Sequence, residues 1–196
     1  MMRLLSSAHY VTTAWKNGRG TTTEILREPE AGSGFDFDWR VSVADVVEDG
    51  PFSTFPGIDR GIVVVEGEGM DLTMGPEMQH RLAPLEPFAF EGERAVTGKL
   101  INGRVRDFNV MVRRGFFRFD LDVLRDVRQF GLPQMMGELL MLHVVDGHWH
   151  GEAGKLTTYD MTAQQTLCLN YDRGASYVFD GDGIAVMVRV RPVRSW

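Results

Sequence analysis

An internal echo constrains this 196-residue chain more than any other feature of its sequence. Val64-Val65-Glu66-Gly67 returns as Val144-Val145-Asp146-Gly147, and Val110-Met111-Val112-Arg113 returns as Val186-Met187-Val188-Arg189. The first pair is offset by 80 residues and the second by 76, a difference that one short loop absorbs. The echo predicts one unit used twice, with a strand ending in an acidic-Gly turn and a later strand ending in Arg.

Both units read as β-structure. Phe117, Phe119, Leu121 and Val123 alternate with Arg118, Asp120 and Asp122, the period of a strand with one wet face. Arg60 to Glu66, Glu138 to Val145 and Ile184 to Val190 are apolar on nearly both faces, as strands enclosed on two sides must be. Turn pairs punctuate the chain at short intervals: Pro56-Gly57, Glu66-Gly67, Gly75-Pro76, Asn102-Gly103, Asp146-Gly147 and Asp182-Gly183. Only residues 124 to 136 leave room for a helix, and Gly131 and Pro133 interrupt it. The seam between units is expected at Arg113-Arg114-Gly115, giving an N-terminal unit over 1–114 and a C-terminal unit over 115–196.

Composition excludes several function classes. A net charge of −6 and no clustering of Lys and Arg argue against a nucleic-acid surface, which must neutralise phosphates. Cys168 is the single cysteine, so no disulfide framework exists, and its apolar neighbours Leu167 and Leu169 mark it as a core residue. The start, MMRLLSSAHYV, lacks the apolar run of a signal peptide, and no stretch has the apolar length of a membrane span. A soluble, cytoplasmic protein without membrane partners is the expectation.

Two tandem β-units of this kind suggest the cupin architecture, and five segments make a resemblance specific. WKNGRGTTTEI at 15–25, FDWRVSVADV at 37–46, GPFSTFPGIDR at 50–60, PFAFEG at 87–92 and DFNVMVRRG at 107–115 resemble the HutD/Ves family, bicupin proteins associated with bacterial histidine utilisation. The resemblance is concentrated in residues 10–115. Arg19 and Ala14 depart from it, standing where the family usually has Gly and Pro. It implies an all-β bicupin, two cupin-like barrel units in one body. For function it implies a binding protein that senses a carboxylated intermediate of histidine breakdown, such as urocanate or formylglutamate, and moderates the pathway.

The residues set limits on the chemistry. Metal-dependent cupins need a His-rich motif before the first apolar strand, whereas Pro51 to Arg60 contains no His, so the N-terminal unit is expected to be metal-free, and no cofactor is expected for the protein. In the C-terminal unit His148, His150 and Glu152 would share one face of an extended strand, adequate for three metal bonds. They also follow the Asp146-Gly147 turn, where solvated polar residues are expected anyway, and their spacing does not fit the cupin motif.

Arg60 is the leading site residue. It opens the strand RGIVVVEG after the Pro56-Gly57 turn, where a planar guanidinium fork could hold a carboxylate; a salt bridge to Asp59 or another acid is the alternative. The family resemblance favours the ligand. Asn17, Thr21 and Glu24 lie in the segment containing Gly18 and Gly20, which suits either ligand contact or a turn bonded to its own backbone. Trp39 and Arg40 must point to opposite faces of their strand, so one of them, here Arg40, is the lining candidate. Asn109 is an isolated amide between Phe108 and Val110 and must find partners when buried, while Phe55 and Phe90 supply core or an aromatic wall.

No catalytic constellation stands out. Two further readings remain: a metal-independent isomerase or hydrolase using Glu24 or Asp107 as a base, and an interaction protein with a vestigial pocket. The expected partner is a small carboxylated molecule, with room for a homodimer.

Overall fold

Runs of Val, Ile, Thr and Phe bounded by Gly and Pro turns favour pleated backbone over helix, and the strands of this chain follow that preference. A computed structural model describes residues 2–29, 37–76, 78–133, 136–153, 157–170 and 176–193. Its strands are β1 (Met2–Leu5), β2 (Val11–Ala14), β3 (Gly20–Glu28), β4 (Trp39–Val46), β5 (Gly50–Pro51), β6 (Ile58–Glu66), β7 (Met70–Met74) and β8 (Met78–Leu82). They continue with β9 (Phe88–Glu91), β10 (Val96–Leu100), β11 (Val105–Arg113), β12 (Phe117–Pro133), β13 (Leu139–Ala153), β14 (Thr157–Thr162), β15 (Thr166–Asn170) and β16 (Ser176–Pro192). The fold is all-β: a 3-10 turn at Ser7–His9 is the one helical element among the described residues. No helix among them is long and apolar enough to cross a membrane.

Two compact units emerge. The first, Tyr10–Arg118, holds a sheet ordered β2-β3-β4-β11-β6-β9 and a sheet ordered β5-β10-β7-β8. Both sheets contribute to one core, where Ala44, Ile62 and Val64 meet Met70, Leu72 and Leu82. The second unit combines Met1–His9 with Phe119–Trp196 in a sheet ordered β1-β15-β13-β16-β12, with β14 paired to β13. Its core gathers Leu140, Leu142, Val144, Trp149, Tyr177 and Phe179. The division differs from one at 114/115 because β1 pairs with β15, Met2 opposite Leu169, carrying the first residues into the C-terminal sheet. Local pattern could not reveal that pairing.

The first echo has a structural cause. In the β6–β11 pair, Arg106 faces Glu66 and Asp107 faces Val64, so Val65 is the extra residue of a bulge. In the β13–β16 pair, Ile184 faces Asp146 and Ala185 faces Val144, leaving Val145 in the same role. Gly67 and Gly147 follow with φ of 100° and 83°. A Cβ on Gly67 would meet the Arg104 carbonyl oxygen at 2.7 Å, and one on Gly147 would strike the Asp182 carbonyl oxygen. Both the handedness and the space require glycine. Gly147→Ala should therefore cost about 2–4 kcal/mol, measurable as a lower midpoint in urea with the slope unchanged.

The second echo is two residues out of place. The bulges align Asp107 with Ala185, an offset of 78, so Val110 corresponds to Val188 and not to Val186. A shift of two preserves the face each side chain occupies, which is why the repeat remained readable.

Residues 124 to 133 form part of β12 and not a helix. Leu124, Val127, Phe130 and Leu132 all pack on the C-terminal core. The helix-like spacing of three from Leu124 to Val127 to Phe130 arises because Asp126 (φ 44°) and Gln129 (φ 51°) are left-handed and each reset the strand's alternation. Asp126 is held there by the Gly183 N–H, which donates to its Oδ1 at 2.8 Å.

Candidate functional site

Within the Tyr10–Arg118 unit, three adjacent strands turn polar side chains toward one cavity of about 450 Å³, inside the usual range for small-ligand sites. Strand alternation selects them: β4 presents Arg40, Ser42, Ala44 and Val46, β11 presents Asp107, Asn109 and Met111, and β6 contributes Arg60. Trp15, Lys16 and Asn17 close it from the turn after β2, and Phe52, Ser53 and Phe55 from the loop after β5. Trp15 is fixed by its indole N–H, which donates to Thr22 Oγ1 at 2.8 Å.

At its base runs a buried polar chain. Arg60, Asn109 and Asp107 are 6%, 4% and 2% exposed. Arg60 Nη2 donates to Asn109 Oδ1 at 3.1 Å, and Asn109 Nδ2 donates in turn to Asp107 Oδ1. Arg60 Nη1 donates to the Ser53 carbonyl at 3.2 Å, while its Nε–H has no hydrogen-bond partner among the described residues. The guanidinium carbon lies 4.9 Å from the Phe90 ring centre, 5.5 Å from that of Phe55 and 5.6 Å from that of Phe52. These ring faces offset part of the cost of burying the charge.

Arg60 forms no carboxylate ion pair among the described residues. Asp59, its neighbour and the acid anticipated as an alternative partner, belongs to Arg114, whose Nε lies 2.6 Å from Asp59 Oδ1. Burial lowers Arg60 to about 10, with Asp107 opposing that shift. Asp107 is pushed up to about 7, chiefly by burial, against the pull of Arg60 and the Asn109 hydrogen bond. Because the folded pKa is raised above that of the unfolded chain, Asp107 destabilises the fold increasingly as pH rises from about 4 to about 7. Asp107→Asn should accordingly melt above the parent at about pH 8, with the gap closing toward about pH 4 in melting curves.

The C-terminal unit supplies an internal control. By the bulge alignment, Arg60, Asp107 and Asn109 correspond to Leu140, Ala185 and Met187, all members of the buried apolar cluster. The architecture does not require the polar chain. Where that unit does bury a charge it pairs it: Glu138 Oε1 lies 2.5 Å from Arg189 Nε and 3.0 Å from Arg191 Nε.

Of the residues singled out from sequence, Arg60, Asn17, Arg40, Phe55 and Asn109 line the cavity. Asn17 also bonds its own turn, its Oδ1 accepting from the Arg19 N–H at 3.0 Å. Glu24 stands behind Arg40, with Oε2 2.9 Å from Arg40 Nε in an ionic contact whose N–H is not aligned as a hydrogen bond. Phe90 backs Arg60 without lining the cavity. Thr21 faces Asp45 across the β3–β4 ladder, on the opposite side of the sheet, and Thr22 lines the cavity in its place. Ser42 was findable as the residue two beyond Arg40; Trp15, Phe52 and Ser53 carry no such periodic signal.

In the C-terminal unit His150 Nδ1 lies 2.9 Å from Asp160 Oδ1, the residue facing it on β14, and its pKa is raised by that hydrogen bond first. Glu152 is 3.8 Å from His150 Nε2 and His148 is exposed. Among the described residues no group of three or more His, Cys, Asp or Glu could hold a metal ion.

Comparison with known proteins bears on this cavity. A family model described as HutD matches residues 7–187. An uncharacterized 21.2 kDa protein in the hutC 3′ region of Pseudomonas putida is 45% identical over 111 residues, 56% of this chain and 57% of that one. The match thus spans little more than half of that relative. A conserved protein of unknown function from Pseudomonas aeruginosa PAO1 superposes with a TM-score of 0.87 at 30% identity, covering 98% of each chain. HutD from Pseudomonas fluorescens SBW25, in its formate condition, superposes at 0.81 with 31% identity over 100% of both. At 7% identity a cupin 2 conserved barrel domain protein from Leptotrichia buccalis, TM-score 0.57 over 97% of this chain and 96% of that one, is alike in fold alone.

Proposed function

Because this chain belongs to the HutD family, associated with histidine utilisation, we propose that it binds a small carboxylate of histidine breakdown, such as urocanate or formylglutamate, and moderates the pathway through that binding. One observation carries the reading: the Arg60 guanidinium is buried on a cavity wall with, among the described residues, no carboxylate paired to it and its Nε–H unmatched. An unpaired buried cation costs several kcal/mol, and an incoming carboxylate supplies the missing partner. Formate, named with the Pseudomonas fluorescens HutD, is the smallest probe of that chemistry. The finer architecture belongs to the same proposal: each unit is a cupin-like barrel, as the matching bulges at Val65 and Val145 support.

A thermal-shift screen with urocanate, formylglutamate, glutamate and formate tests the binding. A ligand at about 100 times its dissociation constant stabilises by roughly 2.7 kcal/mol, an upward shift of several degrees. If none of these acids moves the midpoint, the carboxylate reading fails.

A second reading rests on Asp107. A cavity-lining carboxyl held near neutrality suits general acid-base work, so a metal-independent isomerase or hydrolase is the alternative. NMR of bound acid over hours separates the two, since a binding protein leaves the acid unchanged.

A further inference from the structure

Asp107 stands in an unusual position for a carboxylate. It is buried on the cavity wall, and among the described residues its hydrogen bond comes from the neutral amide of Asn109. That amide is committed on both sides, accepting from Arg60 through Oδ1 and donating to Asp107 through Nδ2. Asp107 is thus linked to Arg60, the one buried arginine among the described residues, through a single intervening side chain.

Resting on the carboxylate-binding reading above, we infer that Asp107 is a specificity-determining partner of Arg60: an anion seated on Arg60 is bound together with one proton, taken from solvent and carried by the Asp107 carboxyl. The charge balance requires it. With the cavity empty, Arg60 is the positive charge that favours the ionised form of Asp107. A carboxylate on Arg60 cancels that field and adds a second negative charge on the cavity wall where Asp107 is buried. A like charge nearby disfavours the ionised form, so Asp107 takes up a proton.

The surrounding groups offer no substitute. From β4, Arg40 is paired with Glu24 of β3, and Asp45, which adds to the repulsion on Asp107, is itself held by Arg106 at 2.9 Å. From β6 the charged group lining the cavity is Arg60 itself, and Lys16 reaches it from the turn after β2. Among the described residues no histidine or cysteine lines the cavity, so a pH dependence of formate binding near neutrality points to Asp107. The pKa of about 7 places its proton exchange in an observable range. The site would thereby hold carboxylates more tightly as pH falls, and at alkaline pH a dianion such as formylglutamate would bind more weakly than a monoanion such as urocanate.

Isothermal titration with sodium formate and with urocanate, from about pH 6 to about pH 9, tests the coupling. The expected result is an apparent affinity that weakens toward tenfold per pH unit above neutrality, the limit for uptake of one proton. Repeating the titration in two buffers of different ionisation heat should register that uptake directly, approaching one proton per site. Asp107→Asn keeps the shape without the charge, so its affinity should be nearly flat with pH and exceed that of the parent at about pH 8.5. Binding by the parent with neither slope nor proton uptake overturns the coupling and leaves the carboxylate reading standing, as does an unaltered slope in Asp107→Asn. No binding at any pH overturns both. Should Asp107→Asn not fold, the buffer comparison on the parent decides alone.

Discussion

Arg60→Leu is expected to remove carboxylate binding altogether. Two charge-assisted hydrogen bonds from a planar fork contribute roughly 1.5–3 kcal/mol each, so losing both weakens affinity by at least about a hundredfold. Arg60→Lys keeps the charge and loses the fork, and should recover only part of the loss. Stability should behave differently from binding. Arg60→Leu alone strands Asn109 Oδ1, the acceptor of the Arg60 Nη2 hydrogen bond. The triple change Arg60→Leu, Asp107→Ala, Asn109→Met copies Leu140, Ala185 and Met187 of the C-terminal unit and should melt no lower than the parent. Calorimetry for affinity and melting curves for stability check the two expectations separately. Undiminished affinity in folded Arg60→Leu would reassign Arg60 to a structural role.

The largest effect on stability should come from Trp149→Ala. Trp149 is 1% exposed and heads the C-terminal core, where a Cβ on Gly181 would already collide with its ring. Truncating it leaves a cavity too large for the strand pair β13–β16 to collapse into, at a cost of about 3–5 kcal/mol. Trp149→Phe is the informative control. The indole N–H is buried without a hydrogen-bond partner among the described residues, so phenylalanine removes an unmet donor while keeping most of the packing. Chemical denaturation should show a large loss for alanine and a small one for phenylalanine. Comparable losses for both would mean that ring volume is not what the site needs.

Much of this protein was legible in its sequence because the relevant forces act locally. Alternation gives strands, and β6, β11, β13 and β16 fall where the apolar runs lie. The acidic-Gly pairs at Glu66-Gly67 and Asp146-Gly147 recur because one bulge geometry admits only glycine after it. Cys168 is buried, and its thiol is pushed up to about 12 by that burial, as its apolar neighbours suggested. Arg60, Arg40 and Asn109 could be nominated because a polar residue inside an apolar strand must have a reason to be there.

Other features were decided only when strands distant in the chain came together. Spacing by threes in β12 imitates a helix, and the left-handed residues that cause it owe their conformation partly to a contact between Asp126 and Gly183. The choice between Thr21 and Thr22 depends on the register of β3 against β4, set by the bulge near Ile25. Proximity in sequence nominates Asp59 to neutralise Arg60; the strand turns it to Arg114 instead, and Arg60 meets Asn109 from 49 residues away. What the sequence determines by itself is therefore which residues are strands, turns and core, since neighbours a few positions apart fix those. Which buried charge is left without a counter-ion is a property of the assembled sheet, because solvation and pairing are settled by whatever the fold brings within a few ångströms.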